Sequence, residues 1–188
     1  MMTAPNEDAV SALPPLIATS VVRGSEQGQS HGGIYLLDPR GRVVRQVIDW
    51  NTLDIDWTGR GWDRGLRGIA FHGDEVWIAA SDELFVFDRQ FRQRRSFTSP
   101  YLKHCHEISV HRHVLYLTST GFDSILAFDL NAERFSWGIV IAMADGRWAA
   151  QRFDPNSGSG PAPGNRLHLN NVTCDDLGLC ISGLRTQG

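Results

Sequence analysis

An all-β fold is what this sequence predicts, and three observations carry the prediction. Apolar and polar residues alternate in short runs along the chain, and no run has helical spacing. RGIAFHGDEVWIAAS (67–81) lies without a gap on HEISVHRHVLYLTST (106–120) after a slide of 39 residues, and NNVTCDDLGLCISG (170–183) joins the frame after a slide of 64. IYLLD (34–38), LFVFD (84–88) and ILAFD (125–129) each close on an aspartate that opens a polar turn. Strands recurring in this way describe the four-stranded antiparallel blades of a β-propeller, here an incomplete ring of about three blades plus a partial one.

The elements follow in chain order. Residues 1–15, MMTAPNEDAVSALPP, are expected to form a flexible segment without the basic start or apolar core of a signal peptide. No apolar run reaches bilayer-spanning length, so the expectation is a cytoplasmic protein with no membrane contact. Residues 16–48 supply three strands of a first blade. The connection DWNTLDIDWTGRGWDRG (49–65) carries Trp50, Trp57 and Trp62. Such connections border the channel face of a propeller, which makes Trp57 and Trp62 candidates for a ligand-pocket wall, with packing between blades as the alternative. Asp54, Asp56 and Asp63 lie there without calcium-loop spacing.

Residues 65–98 and 104–141 read as complete blades, and 168–184 as the start of another. In each repeat a polar stretch, HGDE, HRHV or DDLG, joins the first two strands as a hairpin. RWAAQRFDPNSGSGPAPGNR (147–166) is rich in Gly, Ser and Pro and reads as a flexible excursion, a candidate lid. Three blades do not close a ring, and open sheet edges invite pairing. The expectation is therefore about half of a longer propeller, or self-association of two copies through those edges.

Composition narrows the function. With 188 residues, 41% of them hydrophobic, the chain can bury a real core. Eighteen basic against 21 acidic residues, net charge -3, argue against nucleic acid as a partner. Arg89, Arg92, Arg94 and Arg95 cluster at an outer turn, where charge discourages edge pairing. Cys105, Cys174 and Cys180 are an odd number without CxxC spacing, so buried thiols are expected rather than a disulfide frame. No GxSxG, GxGxxG, Walker or HExxH motif occurs. Thr118, Ser119 and Thr120 are expected to satisfy backbone groups rather than attack a substrate.

The most chemical stretch is KHCHEISVHRHVLYLTST (103–120), with four histidines. His104 and His106 are two apart on one strand and so share a face. In the repeat frame His104 falls on His168, and His106 on Arg67 and Asn170, all at the start of the innermost strand, where blades converge. Three imidazoles, His104, His106 and His168, would suit zinc or iron(II), with Glu107 as a further ligand or general base. The alternative is that these histidines only hydrogen-bond carbonyls in a wet channel. His111 and His113 fall in the hairpin at the far end of the strand, as does His72 in its own blade, and read as solvated turns. His31, in a Gly- and Ser-rich connection, carries no further information.

RGIAF, VWIAAS and LFVFD together resemble the blade signature of six-bladed propellers of the NHL, gluconolactonase and strictosidine synthase kind. HCHEISV, LTSTGFDSILAFDL and LHLNNV are similar to a group of bacterial six-bladed propeller proteins. LYLTSTGFDSILAFDL is also similar to plant-type glutaminyl cyclase propellers. The first resemblance implies six blades and an axial metal, commonly calcium, held by Glu, Asn and Asp for lactone or ester hydrolysis. Glu107 and Asn171 match those positions in consecutive blades. Gly68 stands at the same place one blade earlier, a departure from the pattern, and two oxygens fall short of the six to eight that calcium takes.

Two functions are thus expected. One is a metal-dependent hydrolase or lactonase-like enzyme, with His104, His106, His168 and Asn171 on a divalent Zn, Fe or Ca and Glu107 moving the proton. The other is a noncatalytic propeller that binds a small-molecule ligand or protein partner through Arg67, Asn170, Trp57 and Trp62.

Overall fold

A computed structural model describes residues 15–26, 28–38, 43–51 and 65–185. The N-terminal segment up to residue 14, Trp57, Trp62, Asp54, Asp56 and Asp63 lie outside the described residues. Among the described residues the chain forms fourteen strands and no helix, so none is long and apolar enough to cross a membrane. The all-β propeller class expected from the repeats is the one observed, with antiparallel blades in sequence order. The chain divides into two compact units, Met1–Leu66 and Arg67–Gly188.

In the first unit β1 (Leu16–Val21), β2 (Ser30–Asp38) and β3 (Val43–Asn51) form one antiparallel sheet in chain order. Leu16 faces Leu37, and Ser30 faces Asn51. Ile34 is fully buried and Trp50 nearly so. His31, which carries no signal in the sequence, is also fully buried, at the start of β2. Ser25 Oγ donates to the Val22 carbonyl (2.9 Å) and lies 2.7 Å from His31 Nδ1, so the imidazole must be the donor in that pair.

The second unit carries the repeats. β4 (Leu66–His72), β5 (Glu75–Ala80), β6 (Glu83–Asp88) and β7 (Gln93–Thr98) make a four-stranded sheet. β8 (Ile108–His111), β9 (Val114–Ser119), β10 (Ser124–Asp129), β11 (Arg134–Ala144) and β12 (Arg147–Phe153) make a five-stranded one. β13 (Leu169–Asp175) and β14 (Gly178–Gly183) pair alone, and β13 packs beside β8 and β9.

Why these runs become middle strands follows from burial. VWIAA in β5, LFVF in β6 and SILAF in β10 are buried along their length, and each of these strands has a hydrogen-bonded neighbour on both edges. β7, QRRSFT, alternates exposed and half-buried residues, as an outer strand should. One apolar core runs through both blades, from Trp77, Leu84 and Val86 to Leu115, Leu117, Leu126 and Phe128. The strand-ending aspartates turn the chain: Asp88 accepts the N–H groups of Gln90 and Arg92, and Asp129 those of Asn131 and Ala132. The Arg92 N–H does most to hold the Asp88 carboxyl down, at about 2.

The expected flexible excursion at 147–166 needs correcting. Its first seven residues are β12, a fifth strand paired with an extended β11 from Gly138 opposite Phe153 to Ala144 opposite Arg147. Cross-strand contacts explain it. The Phe153 ring lies over Gly138, where a side chain would collide with it, and the Arg152 guanidinium sits 5.6 Å from the Trp137 ring centroid. The rest of the segment is pinned too: Gly160 N–H donates to the Tyr101 hydroxyl (2.6 Å) and Gly164 N–H to the Gly121 carbonyl (2.9 Å).

The outer-turn arginines all meet carboxylates: Arg89 pairs with Asp74, Arg92 and Arg94 with Asp88, and Arg95 with Glu75 and Glu133. The hairpin residues His111 and Arg112 both reach Asp176 of the next blade, at 3.3 and 2.6 Å. Cys105 is fully buried, and burial pushes its thiol up to about 12, whereas Cys180 is exposed. A maleimide is therefore expected to label Cys180 in the native protein and Cys105 only after denaturation, as peptide mass spectrometry would show. Native labelling of Cys105 would mean that the blade interface opens freely.

Candidate functional site

The site lies where the chain enters successive inner strands, and strand-end hydroxyls build it. Thr118 Oγ1 accepts the N–H groups of His106 (2.9 Å) and Glu107 (3.0 Å) and donates to the Glu107 carbonyl (3.2 Å). Ser119 Oγ accepts from Lys103 N–H (3.1 Å) and donates to the Tyr101 carbonyl (2.6 Å). These hydroxyls serve the backbone, as the sequence led us to expect.

Equivalent positions are also tied between blades, with the donor on opposite sides of the two junctions. Cys105 N–H donates to the Ser81 carbonyl at 2.7 Å, and one blade later the Thr120 hydroxyl donates to the Leu169 carbonyl. Ser81 and Thr120 share one place in the repeat frame; Cys105 and Leu169 share another. Asp123 adds a clamp absent from the sequence reading: its buried carboxylate accepts the N–H groups of Arg166 (2.6 Å), Leu167 (3.1 Å) and His168 (3.0 Å). In the sequence it is only an acidic residue in a tight turn between β9 and β10.

His104 and His168, 64 residues apart, share a left-handed backbone with φ 55° in both. Histidine is among the few non-glycine residues enriched there, so the turn into the inner strand gives each a conformational reason for its identity. Arg67, on β4, donates from a guanidinium N–H to His106 Nδ1 at 3.0 Å. The His106 and His168 rings meet edge to face, with centroids 5.4 Å apart. Arg67 on β4 and His106 and His168 in the lead-ins to β8 and β13 thus form one row; His104 and His106 do not share a strand as expected, because β8 begins only at Ile108 and His104 turns with a left-handed backbone. His168 Nδ1 lies 3.0 Å from Asn165 Oδ1, which makes that ring nitrogen a donor. Asn170 and Asn171 are half-buried at the start of β13.

The row is poorly suited to a metal. Guanidinium only donates, so His106 Nδ1 must be the acceptor and the ring proton of the neutral imidazole sits on Nε2. Binding an ion through Nε2 would move that proton to Nδ1, against the Arg67 donor. Glu107 Oε1 accepts the Ile108 N–H at 3.1 Å. Among the described residues no three His, Cys, Asp or Glu side chains come together to hold a metal ion. His104, His106, His168 and Glu107 accordingly form no such group.

Glu107 is half-buried, and burial pushes its carboxyl above its ordinary value, partly offset by the Ile108 N–H. Gly68, the departure from the expected ligand pattern, has a packing explanation. A Cβ there would lie 2.6 Å from Ile108 N and 3.0 Å from the Glu107 backbone, so only glycine lets the two inner strands approach. Gly68→Asp, which restores a ligand-type residue, is expected to cost about 1–3 kcal/mol in urea unfolding. An unchanged midpoint would show that this close approach is not required.

No protein-family model matches the chain, and no curated protein matches it. Among solved structures, one chain in the crystal structure of a mitotic checkpoint complex is similar at TM-score 0.48 and 13% identity, with 89% of this chain and 53% of that one covered. This chain thus spans about half the length of that match. Glutaminyl cyclase from Myxococcus xanthus is similar at TM-score 0.34 and 13% identity, covering 81% of this chain and 82% of that one.

Proposed function

We propose that this propeller is a noncatalytic binding protein for a small ligand with an anionic group, recognised by Arg67, His106 and Asn170 at the starts of its inner strands. The observation that carries this reading is the Arg67–His106 hydrogen bond. It orients a permanently charged, fork-shaped donor beside an imidazole whose remaining ring proton is also a donor, and it withdraws that imidazole from metal chemistry. Donors from consecutive blades suit an acceptor-rich ligand better than a cation.

Calorimetric titration with citrate, malonate and inorganic phosphate tests the proposal. Saturable binding of at least one is expected, weakened about tenfold or more in Arg67→Ala. Absence of binding, or binding indifferent to both Arg67→Ala and His106→Ala, would count against it. A metal-dependent hydrolase reading draws support from Glu107, whose raised proton affinity suits a general base. Stoichiometric metal in the purified protein, lost in the His104→Ala, His106→Ala double variant, would put that reading first.

A further inference from the structure

A second concave site, lined by none of Arg67, His106, His168 and Asn170, lies between the β11–β12 hairpin and the segment 162–167. It is a cavity of about 310 Å³ walled by Phe122, Ile141, Met143, Trp148, Pro163 and Leu167. Its shape is fixed on both sides. Phe122 and Gly164 form a parallel bridge, and Met143 faces Trp148 across the hairpin, which places their side chains on one face. Met143 is 52% exposed and Trp148 41%, so large apolar side chains are held at the rim without burial to stabilise them there.

Two charged residues reach the cavity, Asp123 and Arg166. Both oxygens of Asp123 are engaged by the N–H groups of residues 166 to 168. Arg166 is exposed and, among the described residues, makes no ion pair. The cavity therefore offers one guanidinium against aromatic and aliphatic walls, with a carboxylate close by that would repel a second negative charge. Its volume lies at the small end of ligand pockets.

We infer that this cavity binds a small aromatic monocarboxylate, its ring against Trp148 and Phe122 and its carboxylate on Arg166. The test uses indole-3-acetate and phenylacetate as probes and indole-3-acetamide as the uncharged control, followed by saturation-transfer NMR and calorimetry. The acids are expected to bind with Kd on the order of 0.1–1 mM, and the amide more weakly. Arg166→Gln is expected to weaken the acids about tenfold and leave the amide unchanged, whereas Trp148→Ser weakens all three. Arg67→Ala leaves this binding intact, which separates it from the site proposed above. No saturable binding of either acid, equal affinity for acid and amide in the unaltered protein, or acid binding indifferent to Arg166→Gln would each overturn the inference.

Discussion

Asp123→Ala is expected to lower the stability of the Arg67–Gly188 unit by about 3–5 kcal/mol, read as a shift in the urea midpoint. Asp123 is buried in the turn between β9 and β10, and its carboxylate accepts three consecutive N–H groups of the next blade's lead-in. A hydrogen bond to a charged group contributes about 1.5–3 kcal/mol, and a buried donor left without an acceptor costs its full desolvation. The three bonds share one carboxylate, so their losses do not simply add.

Backbone strain must be separated from the lost carboxylate, because Asp123 has φ 46°. Glycine accepts that conformation freely, so Asp123→Gly removes the acceptor without adding strain. It should still lose most of the stability. Asp123→Asn keeps one acceptor oxygen but turns an amide toward the Arg166 N–H, and an intermediate loss is expected. Hydrogen exchange at His168 N–H should accelerate in all three variants. If Asp123→Gly unfolds at the original midpoint, the clamp contributes nothing to holding the blades together.

The clamp also shows which features were legible beforehand. Offsets of 39 and 64 residues placed Arg67, His106 and Asn170 at one position of the repeat, and Arg67 and His106 are indeed hydrogen-bonded. The offsets worked because buried middle strands carry mostly apolar residues, so the repeat survives as a pattern even where identities differ. Partners chosen by geometry leave no such trace. Asp123 accepts from residues more than forty positions away, and nothing local marks an aspartate that ties blades apart from one that turns a strand.

β12 escaped for a similar reason. RWAAQRF lacks clean alternation, all but its last residue are exposed, and its contacts with Trp137 and Gly138 exist only once β11 is in place. Its Gly-, Ser- and Pro-rich successor suggested a mobile loop, yet tertiary hydrogen bonds hold it. His31 likewise reads as a loop residue until Ser25 supplies the buried acceptor.

Trp77→Ala should be comparably damaging, about 3–5 kcal/mol, because the indole joins two blades. Trp77 is 1% exposed on β5; it stacks on Phe97 of its own sheet at 6.0 Å and meets Phe128 of the following sheet at 5.5 Å. Phe97 and Phe128 are themselves 4.8 Å apart, so removing the indole leaves a cavity bordered by two rings that cannot both move in to fill it. Arg95 lies 5.9 Å from the Trp77 ring centroid and pairs with Glu75 of its own blade and Glu133 of the next, so the loss reaches the outer ion pairs as well. The indole N–H is buried without a hydrogen-bond partner among the described residues. Trp77→Phe therefore sacrifices ring volume but also removes an unsatisfied donor, and it should cost only about 1–2 kcal/mol. Equal losses for Trp77→Phe and Trp77→Ala in parallel urea titrations would show that an aromatic ring at this position adds nothing and that the contact between blades does not set the stability of this interface.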